Sequence, residues 1–125
     1  KRTFTPPVRI SEEEMKIRVD GENRIQAISK ALEPAEAQAE NLGVLKVGPG
    51  AARRLLELAR DPDGARRGLC WVHDAIHQLL GEFAFHALPT GGAPWIEIDY
   101  KHDLQRARQE VWPRILQAMG RPAPQ

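Results

Sequence analysis

Two alternating segments in the second half of the chain constrain the fold more than any other feature. Residues 82–88 and 95–99 each alternate apolar with other side chains, which is the period-two pattern of a β-strand. Only the short turn at 90–94, with two glycines and a proline, separates them. A parallel pair of strands needs a crossover of about a dozen residues or more. The sequence therefore predicts a sheet that is not purely parallel.

The rest of the chain supplies further strands and helices. Residues 16–20 and 24–28 alternate around turn residues and predict a β-hairpin, and the apolar run at 41–47 has strand length. Residues 32–40 are typical of a helical turn. An apolar period of 3.6 predicts three helices, the last one bent or divided at Pro113, and they are expected from 51, over 69–80 and over 102–119. We expect an α/β fold, a mixed sheet with flanking helices.

Length and charge limit the classes of function. The 125 residues suffice for one domain, which we expect over 15–119, with an arm at 1–14 and a disordered tail at 120–125. With 18 basic and 17 acidic residues, the net charge of +1 disfavours general nucleic-acid binding. No apolar run approaches the roughly 20 residues that span a bilayer, and the N-terminus lacks the pattern of a signal peptide. These features predict a soluble, cytoplasmic protein without membrane contact.

The single cysteine, Cys70, cannot form an internal disulfide. Its neighbours Leu69, Trp71 and Val72 are apolar, as in a helix that faces a core. We therefore expect Cys70 to be a packing residue rather than a reactive thiol.

The segment WIEID ends on two carboxylates just before a predicted helix. In a strand, Trp95, Glu97 and Asp99 would share one face and Ile96 and Ile98 the other. Ligands of open α/β sheets bind at the carboxyl ends of strands, and a carboxylate there can bind Mg²⁺ together with substrate phosphates. We predict Asp99 as the metal ligand, with Glu97 supporting it or contacting substrate. The alternative is that Asp99 caps the following helix and Glu97 pairs with a surface base.

The same segment carries a resemblance to a known family. WIEID-x-x-x-DL-x-x-AR resembles the C-terminal signature of nucleotidyltransferases that join CTP or another NTP to sugar phosphates, phosphocholine or aminoalkylphosphonates. Three further segments are similar to parts of that family, so the resemblance extends over about residues 15–116. They are MKIRVDGENRIQAISK, ENLGVLKVGPGAARRLLEL and CWVHDAIHQLL.

The resemblance implies a Rossmann-like fold and roles for individual residues. Asp99 matches the aspartate that shares Mg²⁺ with the nucleotide phosphates, and Lys30 matches the lysine that contacts the acceptor phosphate. Asp74 lies where family members often have an acidic residue near the acceptor pocket. In the family, an acceptor phosphate oxygen attacks the α-phosphorus of the NTP and releases pyrophosphate. NTP and a phosphorylated small molecule are therefore the implied ligands.

Lys30 and Trp95 each keep a simpler interpretation. Lys30 taken alone is an ordinary solvated lysine after a strand, and the phosphate contact follows from the resemblance. Trp95 is a packing residue by default. With a choline-like acceptor, it would offer a cation–π surface.

The chain also departs from the family pattern. Tyr100, Lys101 and His102 stand where the family usually has Thr-Pro-Glu after the metal aspartate. The Gly-rich G-x-G-x-R loop, its lysine and a first metal aspartate belong to the family's N-terminal half, and the residues at 48–50 do not match that loop. We therefore expect half of an enzyme, either a fragment or the partner of a second polypeptide, inactive alone. Its open sheet edges favour a homodimer or a covering partner.

Two other functions compete with this one. His73 and His77 lie four residues apart on a predicted helix, as in the H-E-x-x-H motif of zinc hydrolases, although the acidic residue here is aspartate and no third ligand follows. Histidines on a surface or at a pocket rim are the simpler interpretation. The other alternative is a non-catalytic module of the same fold that binds a phosphate ligand or a partner.

Overall fold

The computed structural model describes residue 10 and residues 13–121. Within it, the chain forms two compact units that meet in sequence between Leu88 and Pro89. Most of the predicted arm and tail, at 1–14 and 120–125, lies outside the described residues. Each unit is described by itself below.

The first unit contains the predicted hairpin. Strands β1 (Lys16–Val19) and β2 (Ile25–Ser29) pair antiparallel. Asp20 stabilises the turn, because its Oδ1 accepts the backbone N–H groups of Glu22 at 2.8 Å and Arg24 at 3.0 Å. These N–H donors lower the pKa of the Asp20 carboxyl. The hairpin prediction is confirmed.

A third strand completes the sheet. Strand β3 (Ala39–Glu40) pairs antiparallel with the other edge of β1, so the order is β2-β1-β3. A short 3₁₀ helix (Pro34–Glu36) precedes β3 and lies within the helical turn predicted for residues 32–40.

The first unit also contains two helices that pack on each other, and one of them packs on the sheet. Helix α1 (Pro49–Ala59) begins with a proline in its first turn, where the missing N–H has no cost, and packs on α2 (Val72–Leu79). Helix α2 in turn packs on β2, and a 3₁₀ turn (Ala65–Arg67) lies between the two helices in sequence. Their apolar faces enclose one core with residues from the sheet and from the segment after α2, formed by Ile17, Ile28, Ala51, Ile76, Leu79, Phe85 and Ala87.

The second unit contains the predicted C-terminal helix in three parts. Helix α3 (Lys101–Arg106) continues into a π-helical turn (Ala107–Val111) and then α4 (Trp112–Ala118). Pro113 lies in the first turn of α4, where proline is tolerated. The three parts follow one another without a gap, so the predicted division does not occur at Pro113 itself, and the irregularity is the π-helical turn that ends two residues before it.

Three predicted strands are absent from the described part of the chain. Residues 41–47 and 95–99 form no regular strand, and residues 82–88 contribute only a single bridge between Arg24 and His86. Alternating side chains suit a segment to a sheet with one buried face. A strand forms, however, only where an adjacent strand hydrogen-bonds to its backbone N–H and C=O groups. The α/β class is confirmed, with a sheet that is small and antiparallel, while these three strand predictions are wrong. None of the described helices has the length and apolar character needed to cross a membrane.

Candidate functional site

Polar side chains from three parts of the first unit meet at the start of α2. His73 lies in the first turn of this helix, and its Nε2 is 2.6 Å from Nδ2 of Asn41, which directly follows β3. Lys30 directly follows β2, and its positive charge acts on His73. The hairpin and the short β3 strand thus bring Lys30 and Asn41 to a histidine more than 30 residues away in sequence.

The surroundings of His73 keep its ring neutral. Burial lowers the pKa of His73, the nearby Lys30 ammonium lowers it further, and the Asp74 carboxylate opposes them. The ring atom Nδ1 is buried and has no hydrogen-bond partner among the described residues. In His73, Nε2 therefore contacts Asn41, and Nδ1 is shielded from solvent.

Asp74 has a structural role at the start of α2. Its Oδ2 accepts the backbone N–H groups of Cys70 at 3.0 Å and Trp71 at 2.7 Å, which satisfies two donors at the start of α2. Its Oδ1 accepts no hydrogen bond from the described residues. Asp74 therefore holds the helix start through one carboxylate oxygen, and its other oxygen is left without a hydrogen bond from the described residues.

Cys70 is exposed, so the prediction that it packs in a helix wall is wrong. The helix begins at Val72, three residues later than the pattern predicts, because Trp71 is the N-cap. Cys70 thus lies in the loop before the helix rather than on its apolar face.

A cavity of about 210 Å³ lies between the end of β2 and α2. His77, one turn after His73, is fixed at its rim because its Nδ1 accepts the backbone N–H of Ile28 in a long, 3.4 Å hydrogen bond. In a neutral imidazole this leaves the proton on Nε2. The cavity is lined by Ile28, Ser29, Gly68, Asp74, His77 and Gln78.

The acidic segment belongs to the second unit and is a loop. Trp95, Glu97 and Asp99 are all exposed, and no pleat assigns them to one face, because residues 95–99 form no strand. The Asp99 carboxylate accepts no hydrogen bond from the described residues. Of the sequence-predicted site residues, the first unit brings together Lys30, Asp74, His73 and His77, and the second unit holds Trp95, Glu97 and Asp99.

Asp103 caps α3, so the alternative role of Asp99 as the cap is wrong. Oδ2 of Asp103 accepts the N–H of Tyr100 at 2.9 Å and that of Asp99 at 3.3 Å. These bonds lower the pKa of the Asp103 carboxyl. The carboxylate in the first turn of α3 therefore satisfies two N–H groups at the start of this helix.

The two histidines of the H-D-x-x-H pattern each have a protein contact. His73 Nε2 faces Asn41, and His77 Nδ1 accepts from Ile28. The described residues contain no group of three or more histidine, cysteine, aspartate or glutamate side chains placed to bind a metal. Zinc binding stays a prediction that rests on the sequence spacing.

Comparison with known proteins found no matching family model, no matching curated protein and no matching solved structure. Function is therefore argued from the residues. Sequence reasoning did not identify Asn41, Ser29 or Gln78 as site residues. The signal available was the position of Ser29 directly after the predicted strand at 24–28, of Asn41 at the start of the predicted strand at 41–47, and of Gln78 next to His77 on α2.

Proposed function

We propose that this chain is the acceptor- and metal-binding half of a magnesium-dependent nucleotidyltransferase with a Rossmann-like fold. The observation that carries the proposal is the WIEID-x-x-x-DL-x-x-AR segment, whose Asp99 stands immediately before the capped helix α3. The hairpin whose second strand ends at Ser29, directly before Lys30, is the second matching element. A second polypeptide segment supplies the nucleotide-binding half.

The acidic loop has the donor chemistry that magnesium needs. Asp99 and Glu97 are exposed, and the Asp99 carboxylate is not occupied by hydrogen bonds from the described residues. Mg²⁺ prefers oxygen ligands, keeps several waters and joins one or two carboxylates to substrate phosphates. Asp99 would hold the ion, and Glu97 would support it through a water or contact substrate. When bound, Mg²⁺ would neutralise part of the negative charge of the phosphates.

Lys30 is available for an anionic group. Its side chain is exposed, and no carboxylate of the described residues forms an ion pair with it. Its charge already acts on the neutral ring of His73. An ammonium group at the end of a hairpin, held next to hydrogen-bonding side chains, suits a phosphate of the acceptor.

The proposed reaction depends more on the positions of the two phosphates than on proton transfer. An ionised phosphate oxygen of the acceptor attacks the α-phosphorus of the NTP, and pyrophosphate leaves on the opposite side. Lys30 would hold the attacking phosphate and offset its charge. Because the pKa of His73 is lowered, its neutral ring would add no positive charge next to Lys30 at neutral pH.

Pyrophosphate release tests the proposal. The chain is combined with the G-x-G-x-R half, as the longer natural chain or as the partner polypeptide, and release is followed with Mg²⁺, each NTP and phosphorylated acceptors. We expect Asp99→Asn to reduce release by about 100-fold or more and Glu97→Gln to have a smaller effect. We expect Lys30→Ala to raise the KM for the acceptor. Asp63→Asn, in an exposed loop of the first unit, is the matched control.

Two results would contradict the proposal. One is unchanged release in Asp99→Asn. The other is no release with any NTP although both halves are folded and associated.

The second candidate is a non-catalytic binding module. The observation that favours it is that the 210 Å³ cavity is built entirely from residues of the first unit. Ligand binding by that cavity without pyrophosphate release from the complete protein would select this candidate.

A further inference from the structure

We infer that the contact between His73 and Asn41 is a pH-sensitive switch in the first unit. While the His73 ring is neutral, the contact holds the end of β3 against α2, and protonation of the ring releases the end of β3. The switch requires neither nucleotide nor metal, so it does not depend on the proposed function.

Asn41 is the residue at which the described chain leaves the sheet. Its backbone N–H donates to the carbonyl of Met15 at 2.8 Å, which continues the pairing of β3 with β1 by one residue. The backbone of residues 42–46 forms no hydrogen bond with the rest of the described chain. Strand β3 itself has only two residues. The Asn41 side chain, 2.6 Å from Nε2 of His73, therefore connects a short edge strand to the start of α2.

A second proton on the His73 ring has no acceptor in this structure. A neutral imidazole carries one N–H group, and a protonated imidazole carries two. Nε2–H can donate to Asn41, whose side-chain amide turns to present its oxygen. Nδ1, however, is buried and has no hydrogen-bond partner among the described residues.

The protonated ring is therefore more stable where water can reach Nδ1. A buried N–H group without an acceptor has lost its hydrogen bond to water and gained none in return. Turning the ring toward solvent restores that bond, and it breaks the contact between Nε2 and Asn41. Release of β3 would then leave the edge of β1 that β3 covers without its backbone partners.

The surroundings of His73 set the pH at which the contact breaks. Burial lowers the pKa of His73, the Asp74 carboxylate on α2 raises it, and the Lys30 ammonium, directly after β2, lowers it. On the side of β3, the group next to the ring is the neutral amide of Asn41. The contact should therefore break below the ordinary histidine value of 6.5 and persist at neutral pH.

Amide hydrogen exchange followed by NMR tests the inference. Protection factors are measured at about pH 7.5 and at about one pH unit below the midpoint of the His73 ring signals. The reporting amides are those of Gln38 and Asn41, which donate to carbonyls of β1 and of Met15. The amide of Ile25, which donates to Phe85 at the other edge of the sheet, is the internal control. We expect the protection of Gln38 and Asn41 to fall about tenfold and that of Ile25 to stay the same.

Three variants connect the effect to the His73 ring. His73→Gln keeps a hydrogen-bonding side chain that cannot be protonated in this pH range, so its Asn41 protection should be equal at the two pH values. Asn41→Ala removes the contact and should lower the protection of Gln38 at both. His102→Gln removes the exposed histidine in the first turn of α3 and should keep the response of the wild type.

Three results would overturn the switch. They are unchanged protection of Gln38 and Asn41 across the His73 midpoint, an equal loss of protection at Ile25, and a wild-type pH response in His73→Gln. If circular dichroism shows that His73→Gln does not fold, the wild type carries the test. The loss of Asn41 protection must then have the same midpoint as the His73 ring signals, and a different midpoint would also overturn the switch.

Discussion

Helices α2 and α3 begin with the same short pattern, an aromatic residue, any residue, histidine and aspartate. The pattern occupies residues 71–74 in the first unit and residues 100–103 in the second. In both, the aspartate accepts the N–H of the aromatic residue and the N–H of the residue before it. Four residues of sequence therefore determine how each helix starts, wherever the helix lies.

The histidines of the two patterns differ in almost every other respect. His73 is partly buried, contacts Asn41 and has a lowered pKa because of that burial. His102 is exposed and stacks on Tyr100 with ring centroids 5.6 Å apart. Its Nε2 lies 3.3 Å from Oδ1 of the neighbouring Asp103. Local sequence sets the cap, whereas the long-range surroundings set what the histidine can do. The comparison predicts which substitutions will have unequal effects at the two positions.

Core packing should give the largest difference. Helix α2 buries Leu79, which is 1 % exposed, whereas α3 buries no residue and its Leu104 is 39 % exposed. Leu79→Ala should reduce the free energy of unfolding by about 2–5 kcal/mol, and Leu104→Ala by less than about 1 kcal/mol. Urea denaturation followed by circular dichroism measures both. Equal losses would mean that the two helices are not embedded as differently as their burial indicates.

The capping carboxylates should give an intermediate effect. Asp74→Ala should cost about 1 kcal/mol, because two N–H groups at the start of α2 lose their acceptor. Asp103→Ala should loosen only the start of α3, seen as faster amide hydrogen exchange over Lys101–Arg106. Because the folded pKa of Asp103 is lowered, its cap is fully present above the unfolded pKa and is lost as the pH falls through the folded pKa. Exchange in α3 that does not accelerate at low pH would remove this role.

Histidine protonation should give the smallest effect on stability. The folded pKa of His73 lies below its unfolded value, so its contribution is present above about pH 6.5 and is lost as the pH falls through the lowered pKa. His73→Gln should flatten the pH dependence of unfolding between pH 7 and 5, and His102→Gln should not flatten it. NMR titration of the imidazole signals gives the His73 pKa directly. A His73 pKa above 6.5 would contradict the effect of its burial.

The parts of the fold that follow from local residues could be predicted. The hairpin required only alternation and the turn residues at 21–23, and α1 required only its amphipathic period, although the helix begins at Pro49, two residues before the predicted start at 51. The segments at 41–47, 82–88 and 95–99 show equally strand-like patterns, but a strand also depends on a neighbour that the segment's own residues do not specify. In this chain only a bridge at His86 forms in those three segments.

The candidate site shows the same limit. The histidine pattern at 73 and 77 is visible in the sequence, and it suggests zinc because the spacing says nothing about what each ring nitrogen meets. Asn41 lies 32 residues from His73, and Ile28 lies 49 residues from His77. Only the folded structure shows that each ring already has a protein partner, Asn41 for His73 and the backbone of Ile28 for His77.

The π-helical turn at Ala107–Val111 gives the second unit one residue that its helix can lose. It contains one residue more than an α-helical turn and completes about the same rotation about the axis. Deleting one residue there, such as Arg108, should convert it to an α-helical turn and leave Lys101–Arg106 in nearly the same orientation relative to Trp112–Ala118. The same deletion within Lys101–Arg106 would rotate the residues before it by about 100°. The π-helical turn is therefore the place where the chain can be shortened without changing the direction in which the acidic loop that ends at Asp99 leaves the helix.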